Sequence, residues 1–98
     1  MPAAEFDVVH RREAQRFEIH LDGHVAHEAY TLRPGVIVFE HTIVPDALSG
    51  RGIGSALARH VLGYAAAQGL KVDPQCPFIH AYIDRHPEYQ AVSLAHGA

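Results

Sequence analysis

Apolar and polar residues alternate in the first half of the chain with the two-residue period that is typical of β-strands. Residues 17–21 show the clearest alternation, and the Asp-Gly pair at 22–23 that follows is a strong signal for a hairpin turn. Residues 24–32 repeat a weaker strand pattern, and a Pro-Gly turn is predicted at 33–35. A further strand is predicted at 6–10, so the chain is expected to open with antiparallel strands.

The middle of the chain changes from strand to helix. Residues 36–44 are β-branched and almost continuously apolar, which predicts a strand buried on both of its faces, and Pro45 ends it. A glycine-rich loop over 46–54 leads into 55–68, where apolar residues recur at the three- and four-residue spacing of one helical face. Gly69 stands where a helix commonly ends.

The last third of the chain adds one more strand and one more helix. Residues 70–72 predict a short strand, 78–85 predict an amphipathic helix, and Pro87 can begin a final helical turn. The predicted order is therefore β-β-β-β-α-β-α in a single domain over 1–98. This order is typical of an α+β (mixed α/β) fold whose N-terminal sheet is antiparallel.

Composition excludes several classes of protein. The 98 residues are 48% hydrophobic and 19% charged, which is typical of a globular domain and not of a disordered chain. No apolar run reaches the roughly 20 residues of a membrane helix, and the N-terminus lacks the features of a signal peptide. A formal net charge of −3 provides no basic footprint for nucleic acid, and a single cysteine suits a reducing compartment. We therefore expect a cytoplasmic, monomeric protein with no membrane or nucleic-acid partner.

Glycines occupy alternate positions directly between the buried strand and the long helix. Gly50, Gly52 and Gly54 allow tight turns and a close approach of an anion to the backbone, and Arg51 adds a positive charge. The N–H groups and the dipole at the helix start complete a cradle for phosphate, although a flexible connection with a glycine cap is the simpler interpretation. The Gly-Lys-Ser/Thr run of a P-loop is absent. Asp73 stands about 20 residues further on, where an NAD-binding acid lies, but the chain leaves no room for a doubly wound sheet.

Four short stretches occur together in an order that is found in a known family. They are His-Thr-Ile-Val-Pro at 41–45, Gly-Arg-Gly-Ile-Gly-Ser-Ala-Leu at 50–57, Pro-Gln-Cys-Pro-Phe at 74–78 and Arg-His-Pro-Glu-Tyr at 85–89. With them the chain resembles the GCN5-related N-acetyltransferases, and within that superfamily the minimal, single-domain YidJ-like group. The broader signature has Arg or Gln where this chain has Ser49, so Arg51 is expected to replace that contact to pyrophosphate.

The resemblance implies an acetyl-CoA site around the glycine loop, on a minimal fold with splayed central strands. It implies that the pyrophosphate lies on backbone N–H groups of the loop and helix start, here Arg51, Gly52, Ile53, Gly54, Ser55 and Ala56. The pantetheine arm is expected beside the strand that ends at Ile43 and Val44, where that strand splays from 70–72. A backbone N–H of Ile43 or Val44 is then expected to polarise the thioester carbonyl.

Transfer of an acetyl group to an amine needs a base, a polarised carbonyl and a proton for the leaving thiolate. Cys76 is the one thiol of the chain, and the resemblance marks it as a catalytic cysteine, either a transient acyl acceptor or a proton donor. The alternative is a small buried hydrophobe. Glu40 and His41 interrupt an apolar strand, and strand parity puts His41 on one face with Phe39. His41 is the preferred general base, with a hydrogen-bonded core histidine as the alternative.

Other side chains are weaker candidates. Tyr82 and Tyr89 can donate a proton to a thiolate, although amphipathic packing also explains both. His20, His24 and His27 flank a turn without the spacing of metal ligands, so no metal is expected.

These features predict an acetyl-CoA-dependent N-acetyltransferase. Its acceptor is expected to be an amine, either a lysine or N-terminus of a protein or a small molecule. The alternative is a module that binds CoA or acetyl-CoA with little or no catalysis, because so short a chain has few elements that could enclose a pocket for the acceptor.

Overall fold

Within residues 6–98, which a computed structural model describes, five strands form one sheet in their order along the chain. The strands are β1 (Val9–Arg11), β2 (Arg16–Leu21), β3 (His24–Arg33), β4 (Val36–Ile43) and β5 (Lys71–Pro74). Neighbouring strands from β1 to β4 are antiparallel, whereas β5 is parallel to β4. The parallel pair requires a crossover connection, which the long helix supplies.

Helices follow the four antiparallel strands. They are α1 (Ile53–Ala67), α2 (Pro77–Arg85) and the short 3-10 segments Asp46–Leu48, Pro87–Val92 and Leu94–His96. The order confirms the predicted α+β fold, but several bounds differ from the prediction, and two of these differences are the most informative. The first strand is Val9–Arg11 and not 6–10. Helix α1 begins two residues before 55, because Gly52, with a left-handed φ of 77°, forms its N-terminal cap.

The turn between β2 and β3 sets which side chains of β3 are buried. Asp22 and Gly23 have positive φ angles of 52° and 77°, as the predicted two-residue hairpin turn requires. The register that follows from this turn puts Glu28 opposite Phe17, and both side chains are fully buried. A carboxyl group therefore enters the apolar core.

One extra residue in β4 interrupts its pairing with β3. Tyr30 pairs with Phe39, but the preceding Ala29 pairs with His41, so that Glu40 is left over as a β-bulge. Because a strand presents alternate side chains to its two faces, an extra residue exchanges the faces from that point onward.

The bulge corrects the expectation for His41. Thr42 pairs with Glu28 and therefore shares the buried face with Phe39, while His41 lies on the opposite face and is exposed. The prediction that His41 and Phe39 share a face is wrong for this reason. The prediction that 36–44 is buried on both faces is also wrong beyond Phe39, since the side chains at 40, 41 and 43 are exposed.

Strands β4 and β5 separate halfway along β4. Their last pair is Phe39 with Pro74, after which β4 continues to Ile43 without a partner on that side. The backbone N–H of Cys76 donates a hydrogen bond of 2.8 Å to the carbonyl of Phe39, and α2 then begins at Pro77. The pairing of the two central strands ends at this point because β5 ends there, and the N-terminus of α2 lies beside it.

One hydrophobic cluster joins the sheet to both helices. Leu57, Val61 and Ala65 form the fully buried stripe of α1, which packs against the sheet, and Ile79 and Ile83 of α2 join the same cluster. Burial of each Leu, Val or Ile side chain of this cluster stabilises the fold by about 1.5–3 kcal/mol.

The C-terminal segment returns to the edge of the sheet. Ser93 is fully buried and forms a parallel β-bridge with Val72 of β5. Within residues 6–98, no helix has both the length and the apolar character that crossing a bilayer needs.

Candidate active site

Among the described residues 6–98, the backbone donors at the N-terminus of α1 have no hydrogen-bond partner. Gly50 and Gly52 have φ angles of 75° and 77°, which L side chains rarely adopt, and the cap residue Gly52 has no side chain to accept a hydrogen bond. The N–H groups of Ile53, Gly54 and Ser55 belong to the first helical turn, in which no preceding carbonyl is available. Such a turn favours an anion through these donors and the helix dipole.

A cavity of about 270 Å³ opens beside this turn, and Val44, Leu48, Ser49, Gly50, Gly52, Ile53, Gly54, Ser55 and Phe78 line it. Gly54 permits the close approach of α1 to α2, because a Cβ atom there would lie 2.9 Å from Cζ of Phe78. Phe78 is partly exposed and forms an apolar wall of the cavity. The cavity thus combines anion-binding donors with an apolar lining, as sites for elongated small molecules do.

Five of the residues predicted to bind the cofactor line this cavity: Val44, Gly52, Ile53, Gly54 and Ser55. The other three do not line it. Ile43 is half-exposed at the end of β4. The guanidinium of Arg51 lies 2.7 Å from a carboxylate oxygen of Asp22, so it pairs with the β2–β3 turn. The N–H of Ala56 donates to the carbonyl of Gly52 at 3.0 Å, so it is engaged within the helix, and its predicted role in binding pyrophosphate stays a prediction.

Cys76 lies in a buried polar cluster with two side chains from the sheet. Its sulfur is 3.0 Å from the hydroxyl oxygen of Thr42 and 3.9 Å from Oε1 of Glu28. The Thr42 hydroxyl donates a hydrogen bond to the same Oε1 atom. Sulfur, hydroxyl and carboxyl therefore form a continuous path along which a proton can move.

The carboxyl group of Glu28 is the group in this cluster whose pKa is shifted most strongly by its surroundings. Glu28 is fully buried, and its Oε2 atom has no hydrogen-bond partner in the part of the chain that the structure describes. Burial raises the pKa of Glu28 to about 8, an effect that the hydrogen bonds from Thr42 and Cys76 partly oppose. Glu28 is therefore mostly protonated at neutral pH and close to the range in which it can exchange a proton.

The polar cluster and the cavity are built on the same two segments. Thr42 precedes Val44 by two residues at the end of β4, and Cys76 precedes Phe78 by two residues at the start of α2. Neither Thr42 nor Cys76 itself lines the cavity, so the cluster and the cavity share segments of the chain and not side chains.

Comparison with known proteins identifies the family to which the chain belongs. A family profile described as GCN5-related N-acetyl-transferase matches residues 16–92 of the chain. The chain belongs to this family. The resemblance expected from the sequence motifs is thus confirmed at the level of the GCN5-related N-acetyltransferases.

Relatives in the family extend across vertebrates and bacteria. Protein NATD1 of Xenopus tropicalis is 30% identical over 91 residues, which cover 88% of this chain and 82% of that protein. Protein NATD1 of Mus musculus is 32% identical over 85 residues, covering 82% and 76%. The NMR solution structure of a GCN5-like protein from Staphylococcus aureus superposes with a TM-score of 0.73 at 26% identity, covering 93% of this chain and 90% of that one.

The remaining acid–base candidates of this acetyltransferase-family chain lie outside the polar cluster. His41 is exposed, and its ring centroid is 5.6 Å from that of His27 on the open face of the sheet. The Tyr82 ring is buried and stacks on His86 at 3.8 Å, and burial raises the pKa of Tyr82, so that packing accounts for its position. Tyr89 lies 6.0 Å from Tyr82, ring to ring. A catalytic role for any of the three stays a prediction.

Sequence reasoning missed Glu28 and Thr42. The burial of Glu28 could have been predicted from the sequence, because the two-residue turn at 22–23 sets the register that puts Glu28 opposite Phe17. The inward orientation of Thr42 could not have been predicted in this way, since the alternation of apolar and polar residues does not show the bulge that turns Thr42 inward. Asp73, the acid of the dinucleotide alternative, pairs with Arg33 at 3.1 Å on the outside of the sheet.

Proposed function

We propose that this chain is an acetyl-CoA-dependent N-acetyltransferase in which Cys76 carries the acetyl group before an amine takes it. The observation that carries the proposal is the hydrogen-bonded path from the Cys76 sulfur through Thr42 to a buried carboxyl of raised pKa, built on two segments that also line the glycine-loop cavity. A buried cysteine with a purely structural role does not require a titratable partner.

The residues of the cavity fit the chemistry of a coenzyme A thioester. Pyrophosphate is an anion, and the free N–H groups of Ile53, Gly54 and Ser55 are the donors that would hold it. A pantetheine arm is largely apolar with amide groups, and Val44, Leu48 and Phe78 offer it apolar contact. The unpaired edge of β4 beyond Phe39 offers backbone groups to those amides. When bound, acetyl-CoA supplies an activated acyl carbon.

Glu28 and Thr42 would prepare the thiol for attack. In its ionised form Glu28 accepts the Thr42 hydroxyl proton while Thr42 accepts the proton of Cys76, which leaves a thiolate. The Cys76 sulfur then forms a bond to the acetyl carbon as the bond from that carbon to the coenzyme A sulfur breaks. The proton held by Glu28 returns through Thr42 to the departing thiolate.

An amine completes the reaction. Its neutral nitrogen forms a bond to the acetyl carbon on Cys76, the carbon–sulfur bond breaks, and the Cys76 thiolate regains a proton that the amine releases. The amine must be deprotonated before it attacks, and His41 stays the residue that the sequence predicts as its base. Lysine side chains, protein N-termini and small amines all satisfy this chemistry.

Mass spectrometry of the protein after incubation with acetyl-CoA, without any amine, tests the covalent route. We expect one acetyl group on the peptide that contains Cys76 and none in Cys76→Ala. The rate of this modification should rise as the pH approaches about 8 and should lose that dependence in Glu28→Gln.

Two other outcomes would overturn the proposal in different ways. An unmodified Cys76 together with amine-dependent release of coenzyme A would support direct transfer, with Cys76 at most a proton donor. Thermal stabilisation by acetyl-CoA without release of coenzyme A, across lysine peptides, free N-termini and small amines, would support a binding module.

A further inference from the structure

Three potential metal ligands meet at the C-terminal end of the molecule, away from the glycine-loop cavity. His80 and Asp84 stand four residues apart on α2, so both project from the same helical face. His96 belongs to the 3-10 segment Leu94–His96, which the chain brings back to that face. One ligand atom from each of the three side chains lies within 4.8 Å of the others.

The donor atoms already point toward one another. Nδ1 of His80 is 3.3 Å from Oδ2 of Asp84, and Nε2 of His96 is 2.6 Å from Oδ1. Donors bound tetrahedrally to a zinc ion at 2.0–2.1 Å lie roughly 3.3 Å apart, so small side-chain rotations convert this cluster into a coordination shell. His80 and Asp84 are half-exposed, which leaves room for water ligands.

The far side of the His96 ring is held by a second residue, as metal-binding histidines require. Nδ1 of His96 is 2.7 Å from the hydroxyl oxygen of Ser93, which is fully buried against β5. A hydrogen bond at one ring nitrogen orients the imidazole and leaves the other nitrogen free for a metal. Ser93 therefore orients His96 toward Asp84.

We propose that His80, Asp84 and His96 form a site for a divalent transition-metal ion of the Zn²⁺ class, with water completing the shell. Two imidazoles and one carboxylate are borderline ligands that suit Zn²⁺, Co²⁺ or Ni²⁺ better than Mg²⁺ or Ca²⁺. The ion joins α2, which begins beside Cys76, to the C-terminal segment that covers the edge of β5. Its first effect is to stabilise that connection.

Calorimetric titration of the full chain, free of any affinity tag, with Zn²⁺ tests the site, and Co²⁺ absorption reports the ligand set. We expect one ion per chain, and a loss of affinity of at least ~10-fold in His80→Ala, Asp84→Asn and His96→Ala. Ser93→Ala should weaken binding in the same direction without removing a ligand. Circular dichroism of each variant without metal shows that it remains folded.

Two matched controls separate this site from the other metal-binding side chains of a histidine-rich chain. His24→Ala removes an exposed histidine of the β2–β3 hairpin, and Cys76→Ser removes the thiol. Both should leave Zn²⁺ affinity and the Co²⁺ spectrum unchanged. Zn²⁺ affinity that survives all three ligand substitutions, or that falls equally in the controls, would overturn the proposal.

Discussion

The hydroxyl oxygen of Thr42 lies 3.0 Å from the sulfur of Cys76, although 34 residues separate them along the chain. The contact exists because the bulge at Glu40 turns Thr42 toward the core, at the place where β5 ends and α2 begins. Thr42 also donates to Glu28, so a single hydroxyl connects the candidate nucleophile to the carboxyl that can take its proton.

Thr42→Val should slow acetylation of Cys76 because it replaces the connecting hydroxyl by a methyl group of similar size. We expect a decrease of about 100-fold, the lower range for loss of a proton-transfer partner. The rate of Cys76 acetylation, measured by rapid-quench mass spectrometry, checks this. Thr31→Val is the matched control, because Thr31 is exposed and its hydroxyl bonds Glu40 instead. Equal rates in the two variants would remove Thr42 from the mechanism.

Glu28 should make the free energy of unfolding fall as the pH rises. Its pKa is raised from 4.5 to about 8 on folding, so the folded state holds a proton that the unfolded state releases above 4.5. The favourable contribution is complete below pH 4.5 and is lost progressively between 4.5 and about 8, by at most about 1.4 kcal/mol per pH unit.

Urea unfolding of the wild type and Glu28→Gln across pH 5 to 8 measures this contribution. Glutamine has the shape of the protonated acid and does not titrate, so the stability of Glu28→Gln relative to wild type should increase with pH. The difference between the two proteins cancels the contributions of the histidines. A difference that stays constant across the range contradicts the raised pKa.

Gly52→Glu should abolish the thermal stabilisation by acetyl-CoA, because it introduces a carboxylate beside the anion-binding turn of α1. Gly52→Ala keeps the backbone strain at a φ of 77° but adds no charge, and it should retain part of the stabilisation. The control is Gly63→Glu, since Gly63 is exposed on α1 and its Cβ would meet nothing within 4 Å. An unchanged ligand-induced shift in Gly52→Glu would place the pyrophosphate elsewhere.

Gly54→Ala should interact energetically with Phe78. When Phe78 is present, the substitution gains up to about 1 kcal/mol of helix propensity. A steric clash offsets this gain, because the new Cβ lies 2.9 Å from Cζ of Phe78. In a Phe78→Ala background the gain should reappear. A double-mutant cycle by urea unfolding should therefore give a coupling energy of at least ~0.5 kcal/mol, whereas additive effects would mean that the ring moves aside without cost.

The local structure was predictable from residues that are near neighbours in the chain. The hairpin at 22–23, the helix after the glycine loop and the strand before it follow from conformational preferences and from apolar spacing. The glycine loop and Cys76 were also found, because the family motifs combine a few residues at short spacing. The boundaries were less accurate, as at the start of α1, where a left-handed glycine begins the helix early.

The candidate site depended on contacts that short-range patterns do not specify. The burial of Glu28 follows from the hairpin register. Its place in a hydrogen-bonded cluster becomes visible only in the structure, where Thr42 and Cys76 lie beside it. Simple alternation along a strand puts His41 on the same face as Phe39, because it takes no account of the extra residue at the bulge. In the structure His41 lies on the opposite face. A bulge forms where the packing of two strands and a helix favours it, so its position depends on long-range contacts.

The sequence by itself determined the element order, the glycine-rich turn before α1 and the thiol, because periodicity and glycine conformation are local properties. Only the tertiary structure decided that Thr42 joins Cys76 to Glu28, that Arg51 pairs with Asp22, and that the chain brings three metal-ligand side chains together beside α2. The physical reason is that burial and proximity arise from the packing of distant segments, and these set both the raised pKa of Glu28 and the ligand geometry.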